Sequence, residues 1–256
     1  MNSHEGSHAS LVSPATPATP RDPSVVSAIR PMFLLADSQL LFWKEGDALF
    51  LARVREALGE RPLQAAYLGA SNGDVPDYYD LFVAGMDGIG VRDCRMIPAS
   101  PSAADRAFFD EADVILLAGG DAARGYRAFQ ESGLAERILS RYAAGAVLIG
   151  ISAGAMQLGL RACPGHGEAS FSTFRLVPAL VAVHDEPDWA ALTEGVIGLE
   201  GSGRGIGIPF GGGAVVHPDL TVEPVRKGLV EISVEDGVVK RALLMPGNGG
   251  AGATAP

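Results

Sequence analysis

Val147-Leu148-Ile149-Gly150-Ile151-Ser152-Ala153-Gly154-Ala155-Met156-Gln157-Leu158 is the stretch that decides the fold. Aliphatic residues run into Gly-x-Ser-x-Gly, and a helix-compatible segment follows. That order predicts a strand, a sharp turn and a helix, with a serine at the turn. Gly150 and Gly154 are small because such a turn is cramped. The turn would present Ser152 Oγ at the sheet edge, and the helix start would aim backbone N–H groups at a developing oxyanion. A Gly/Ser turn between a core strand and a helix has the same appearance, so the surroundings must discriminate.

Upstream, Asp113-Val114-Ile115-Leu116-Leu117-Ala118-Gly119-Gly120-Asp121 is a second buried-strand pattern that ends in two glycines before a helical stretch. Short aliphatic runs at Met32–Ala36, Leu63–Gly69, Val91–Ile97, Val114–Ala118 and Val147–Ile151 alternate with helical segments. Those segments are Gly46–Leu58, Val75–Met86, Ala103–Phe109, Ala122–Gln130 and Leu134–Ala144. The alternation predicts an α/β, doubly wound, mostly parallel sheet with helices on both faces. After about Gly205 the texture changes. Gly205–Ile208, Ala214–His217, Leu229–Val234 and Val238–Leu244 read as strands, with a hairpin signal at Asp236-Gly237, so antiparallel strands are expected to finish the sheet.

Residues 1–30 are rich in Ser, Pro, Ala and Thr and offer little to bury, which predicts a disordered leader; 247–256 reads as a flexible tail. Residues 31–246 are then a single domain, a length that can bury a sizeable core. The net charge is −10, only Lys44, Lys227 and Lys240 are lysines, and no basic cluster occurs, so neither nucleic acid nor an anionic membrane is an expected partner. Cys94 and Cys163 form neither a disulfide framework nor a metal-ligand spacing and read as reduced core thiols. No metal or organic cofactor is called for. The chain has no apolar run long enough to span a membrane and no recognisable secretory signal, which makes the cytoplasm the expected compartment. A homodimer is left open.

The two turn motifs together, Gly119-Gly120-Asp121 and Gly150-Ile151-Ser152-Ala153-Gly154-Ala155, resemble peptidase family S51, which includes dipeptidase E and cyanophycinase. The resemblance runs from about Met32 to about Met245 and implies a class-I-glutamine-amidotransferase-like fold. It implies a serine hydrolase that cleaves a small peptide or related amide through an acyl-enzyme on Ser152. His184, after Leu180-Val181-Ala182-Val183, matches the position of the family's base; His217 and His166 are the alternatives. The N–H of Gly119 or Gly120, Gly120 being preferred, would complete the oxyanion hole with that of Ala153. Asp121 is a helix-cap candidate that also enters the substrate-binding set with Asn72 and Glu186.

The chain departs from the family in two places. An acid is expected after Gly205-Ile206-Gly207-Ile208, but Pro209 and Phe210 stand there. Asp185 and Glu200 are the leading substitutes to orient the histidine, with Glu186, Asp188 and Asp219 behind them; a backbone carbonyl or water is the other solution. Cyanophycinases also carry Gln after Gly-Gly-Asp and arginines after the histidine. Here Ala122 and Asp185-Glu186-Pro187-Asp188-Trp189 occupy those places, so cyanophycin is not the expected substrate; a pocket lined by those acids would favour a cationic or neutral group, but the cluster reads first as a solvated helix start. Two rival readings stay open: a biosynthetic acyl-transfer or amide-cleaving enzyme dedicated to a modified precursor, and a non-catalytic binding homologue.

Overall fold

A computed structural model describes residues 29–162, 170–185, 187–199, 203–235 and 237–247. The expected leader, apart from its last two residues, and the tail, apart from Gly247, lie outside the described residues. So do Cys163, His166, Glu186, Glu200 and Asp236.

The chain opens with β1 (Met32–Leu35) and a 3-10 turn at Ser38–Leu41. A small hairpin, β2 (Lys44–Glu45) and β3 (Ala48–Leu49), precedes α1 (Ala52–Leu58). The alternation then runs through β4 (Gln64–Leu68), α2 (Pro76–Asp87), β5 (Asp93–Ile97), α3 (Ala103–Glu111) and β6 (Val114–Leu117). It continues with α4 (Ala122–Ser132), α5 (Leu134–Ala143), β7 (Val147–Ile151) and α6 (Ala153–Leu158). A second small hairpin, β8 (Arg161–Ala162) and β9 (Phe171–Ser172), leads to β10 (Leu180–Val183), α7 (Ala190–Ile197) and β11 (Arg204–Ile208). Four strands close the described chain: β12 (Gly213–Val216), β13 (Val222–Val225), β14 (Leu229–Glu235) and β15 (Val238–Leu244).

Seven strands form the central sheet in the order β13-β12-β1-β7-β6-β4-β5. The five from β1 to β5 in that order are parallel, and β12 and β13 add antiparallel. The aliphatic runs are continuous because both faces are covered. Met32, Leu34, Ile115, Leu117 and Leu148 point to one side, where Phe109, Phe129 and Ile138 from α3, α4 and α5 meet them. Phe33, Leu35, Val114, Leu116 and Ile149 point to the other and pack on Leu51, Val54, Phe82 and Met86. This is the period-two alternation of a doubly covered strand.

The fold finishes in antiparallel strands, as expected, but they divide between two sheets. Only β12 and β13 extend the central sheet; β10, β11, β14 and β15 form a second, four-stranded sheet in that order. This sheet has its own core, in which Leu180, Val230 and Ile232 close over Trp189 and, on α7, Leu192 and Val196. The helix expected over Gly46–Leu58 starts only at Ala52, because Gly46, at φ 64°, turns the preceding residues into a hairpin. Cys94 is half-buried on the edge strand β5, not in the core, and burial pushes its thiol up to about 11. Among the described residues no helix is long and apolar enough to cross a membrane.

One polar cluster ties the far edge of the sheet to α1. Arg53 makes a two-pronged ion pair with Glu223 of β13, at 2.9 and 2.7 Å, and His217 Nε2 lies 2.8 Å from the same carboxylate. The Arg53 hydrogen bond holds the Glu223 carboxyl below its ordinary value, with His217 adding to the effect. A lowered folded-state value contributes stability above the ordinary glutamate range, and that contribution is lost as pH falls through the lowered value. Glu223→Gln should therefore lower the melting temperature at about pH 7, and the gap from the unmodified protein should shrink as pH falls below the ordinary glutamate range. Thermal melts over that pH range check this.

Candidate active site

Four adjacent parallel strands, β1, β7, β6 and β4, end side by side, and the turns after them meet in one cleft. They deliver Ala36 and Asp37, Ile151 and Ser152, Ala118 to Gly120, and Asn72. Ligands of open α/β sheets bind at this carboxyl edge. The cavity measures about 270 Å3, and His184 reaches it from the second sheet, immediately after β10.

The turn after β7 is forced. Ser152 sits at φ 50°, ψ −109°, a conformation that side chains other than glycine rarely adopt, and its N–H donates to Leu35 O at 2.8 Å. Crowding explains both glycines. A Cβ on Gly150 would lie 2.6 Å from Gly154 O, and one on Gly154 would lie 2.1 Å from Leu117 O. The neighbouring turn is equally tight: Gly119 approaches Ser152 so closely that an added Cβ would come within 3.2 Å of the serine Cβ. Gly120, at φ 128°, has Ser71 O where a side chain would go. Ala153 is the first residue of α6, where a helix N–H has no intrahelical acceptor.

His184 is exposed, at φ 61°, and its Nε2 lies 2.7 Å from Ala36 O. A carbonyl only accepts, so Nε2 must carry the proton, which leaves Nδ1 of the neutral ring as the acceptor. The ring leans on Phe210, centroids 5.2 Å apart and planes at 47°. The residue that replaces the family's expected acid thus touches the imidazole as a hydrocarbon wall.

The proposed acids lie elsewhere or beyond view. Asp185 turns its carboxylate to Leu192 N of α7 at 3.2 Å, and Asp188 is exposed; neither lines the cleft. Asp185 therefore serves the start of α7, the role the sequence offers first for this acid cluster, and does not line a cationic subsite. Glu186 and Glu200 are outside the described residues. Asp219 closes its own turn through Thr221, and His217 pairs with Glu223 beyond the N-terminal end of β1, at the opposite edge of the sheet from Ser152. Asp121 caps α4 through Arg124 N at 2.9 Å and is not among the cleft-lining residues. Asn72 does line the cleft: its Nδ2 donates to Tyr67 Oη at 2.8 Å and its Oδ1 accepts from Val75 N at 3.2 Å. Tyr78 lines it too, whereas Tyr79 turns away to Cys94 O.

Several cleft residues carry no signal in the sequence. Ala36, Asp37 and Tyr67 join the site only because β1 and β4 flank β7 and β6. Asp37 accepts from Gln39 N at 2.8 Å and from Gly211 N at 2.5 Å, which ties the turn after β1 to the loop that holds Phe210. Gln157, fully buried on α6, donates to Ser71 Oγ at 3.2 Å and to Ala122 O at 2.9 Å, so one amide braces the turns behind the serine. Among the described residues no group of three or more His, Cys, Asp or Glu is placed to hold a metal ion.

The sequence profile of peptidase family S51 matches residues 54–179, an interval that includes Asn72, both turn motifs and Ser152 but ends before His184. No curated protein matches the chain. Among solved structures it is similar to a peptidase from an acI-B1 actinobacterium, with a TM-score of 0.66 and 18% identity over 87% of this chain and 96% of that one. It is also similar to a putative peptidase E protein from Listeria monocytogenes EGD-e, with a TM-score of 0.54 and 14% identity over 78% of this chain and 99% of that one. At these identities the two likenesses are of fold.

Proposed function

We propose, from the premise that residues 54–179 belong to peptidase family S51, that the protein hydrolyses a peptide or related amide bond through an acyl-enzyme on Ser152. The observation that carries this reading is the forced turn at Ser152, which opens into the same cleft as His184.

In this mechanism Ser152 Oγ attacks the amide carbonyl while its proton passes to His184 Nδ1. The C–O bond forms and the carbonyl electrons move onto the oxygen, which accepts from the N–H groups of Gly120 and Ala153. Collapse breaks the C–N bond, and the proton on Nδ1 goes to the departing amine. Water then attacks the ester, returns a proton to Ser152 and releases the acid. The Ala36 carbonyl holds the ring through Nε2, the service a carboxylate performs in a triad. No acid in the described structure contacts the ring, which supports a serine–histidine dyad with a main-chain orienter.

Two measurements test the proposal. A small alkyl fluorophosphonate should add one phosphonyl group to the intact protein, mapped to Ser152 and missing in Ser152→Ala. Absence of labelling would favour the non-catalytic homologue. Asp37→Asn, Asp185→Asn, Glu186→Gln, Glu200→Gln and Asp219→Asn should each keep kcat/KM within about tenfold, while His184→Ala loses about a thousandfold or more. A loss of that larger size in any one of the acid variants would replace the dyad with a triad and name its third member.

A further inference from the structure

The cleft has an apolar wall and no cation. Tyr78, Leu81 and Phe82 of α2 face Leu41, Leu116 and Ile151 across it. Among the described residues no Arg or Lys lines it. Two guanidinium groups on adjoining turns are committed to the backbone or to neighbours: Arg124 donates to Ser71 O, and Arg226 to Gly211 O and Gln39 Oε1. Among the described residues the one ionisable carboxylate in the lining is Asp37, and the molecule carries a net charge of −10. A substrate carboxylate would meet the Asp37 charge there and no Arg or Lys, so no opposite charge would offset its lost hydration.

One buried donor points the same way. Tyr67 is 2% exposed and lines the cavity, and its hydroxyl oxygen already accepts from Asn72. The hydroxyl proton is therefore free to reach a ligand acceptor, and burial, which raises this phenol above its ordinary value, keeps it a neutral donor. A neutral donor matches a carbonyl or hydroxyl oxygen on an otherwise apolar group.

We infer that the cleft selects a neutral, mainly apolar side chain, aromatic or branched aliphatic, next to the scissile bond, and rejects a carboxylate there. This rests on the hydrolase reading of the same site. The volume of about 270 Å3 suits one such side chain with its adjoining amide, below the range of larger organic ligands.

Equilibrium binding tests the inference without requiring turnover. N-acetyl-phenylalanine amide and N-acetyl-aspartic acid α-amide are titrated by calorimetry into the full-length protein and into Ser152→Ala. The phenylalanine compound should bind both proteins at least about tenfold more tightly, the factor expected from burying one aromatic side chain. Leu81→Arg, at a wall position 40% exposed and so tolerant of exchange, should abolish or invert that preference. Equal or tighter binding of the aspartate compound, or no saturable binding of the phenylalanine compound, overturns the inference. Fluorophosphonate labelling of Ser152 reads the hydrolase proposal separately, so either can fail alone.

Discussion

Ser152→Gly should abolish turnover and raise the melting temperature together. The turn holds Ser152 at φ 50°, ψ −109°, close to the first central position of a type II′ turn, where glycine is the favoured residue. Strain of this kind costs about 1–3 kcal/mol. Glycine removes it and gives back up to about 1 kcal/mol through its freer unfolded chain. The net gain is on the order of 1 kcal/mol, or about 2–4 °C for a chain of this size. Loss of the nucleophile should lower kcat by more than about 10,000-fold. Ser152→Ala separates the two effects, because alanine loses the hydroxyl and keeps the strain: it should be equally inactive and no more stable. If glycine leaves the melting temperature unchanged or lower, the turn stores no strain; if it leaves activity, another residue attacks.

Gly154→Ala should be strongly destabilising for the addition of a single methyl group. Its Cβ would sit 2.1 Å from Leu117 O and 2.7 Å from Leu117 C, both backbone atoms of the adjacent strand β6. Neither can yield without moving α6 away from the sheet. The expected cost exceeds about 3 kcal/mol, beyond ordinary overpacking, with a fall of about 10 °C or more in melting temperature. Gly133→Ala is the control. Gly133 has φ 74° and nothing within 4 Å of an added Cβ, so it should lose only about 1–2 kcal/mol of backbone preference. Chemical denaturation of both variants decides: similar losses would mean that close contact between turn and strand is not what fixes glycine at 154.

The parallel half of the fold was legible because its signal is local. Continuous aliphatic runs bounded by glycine mark β4, β6 and β7, and doubly covered strands need nothing else. The second sheet was not legible as a separate body. Gly205 and Gly207 look like weak points in a strand, yet they are what lets α7 lie against it: a Cβ on Gly207 would lie 2.4 Å from the Trp189 ring, and one on Gly205 2.7 Å from Leu192 Cδ1. That purpose exists only once the helix has docked. Pro224 hid β13, and its place on the edge of the central sheet is where a strand tolerates proline.

The candidate site divides along the same line. Ser152, Ala153, Gly119 and Gly120 sit in turns whose spacing writes them into the sequence. Ala36, Asp37 and Tyr67 are ordinary residues in ordinary strand ends, brought to the cleft by the order of strands. A carbonyl oxygen that orients a histidine leaves no trace in a sequence at all, because every residue has one.

The proposed nucleophile and base stand on different sheets. Ser152 ends β7 of the first sheet, His184 follows β10 of the second, and α6 packs between them against β10. The gap between hydroxyl and imidazole is therefore set by the seating of one layer on another. Catalytic competence becomes a reading of layer alignment: mild heat or denaturant that lets the sheets slip should silence the enzyme while each layer still keeps its own hydrogen bonds.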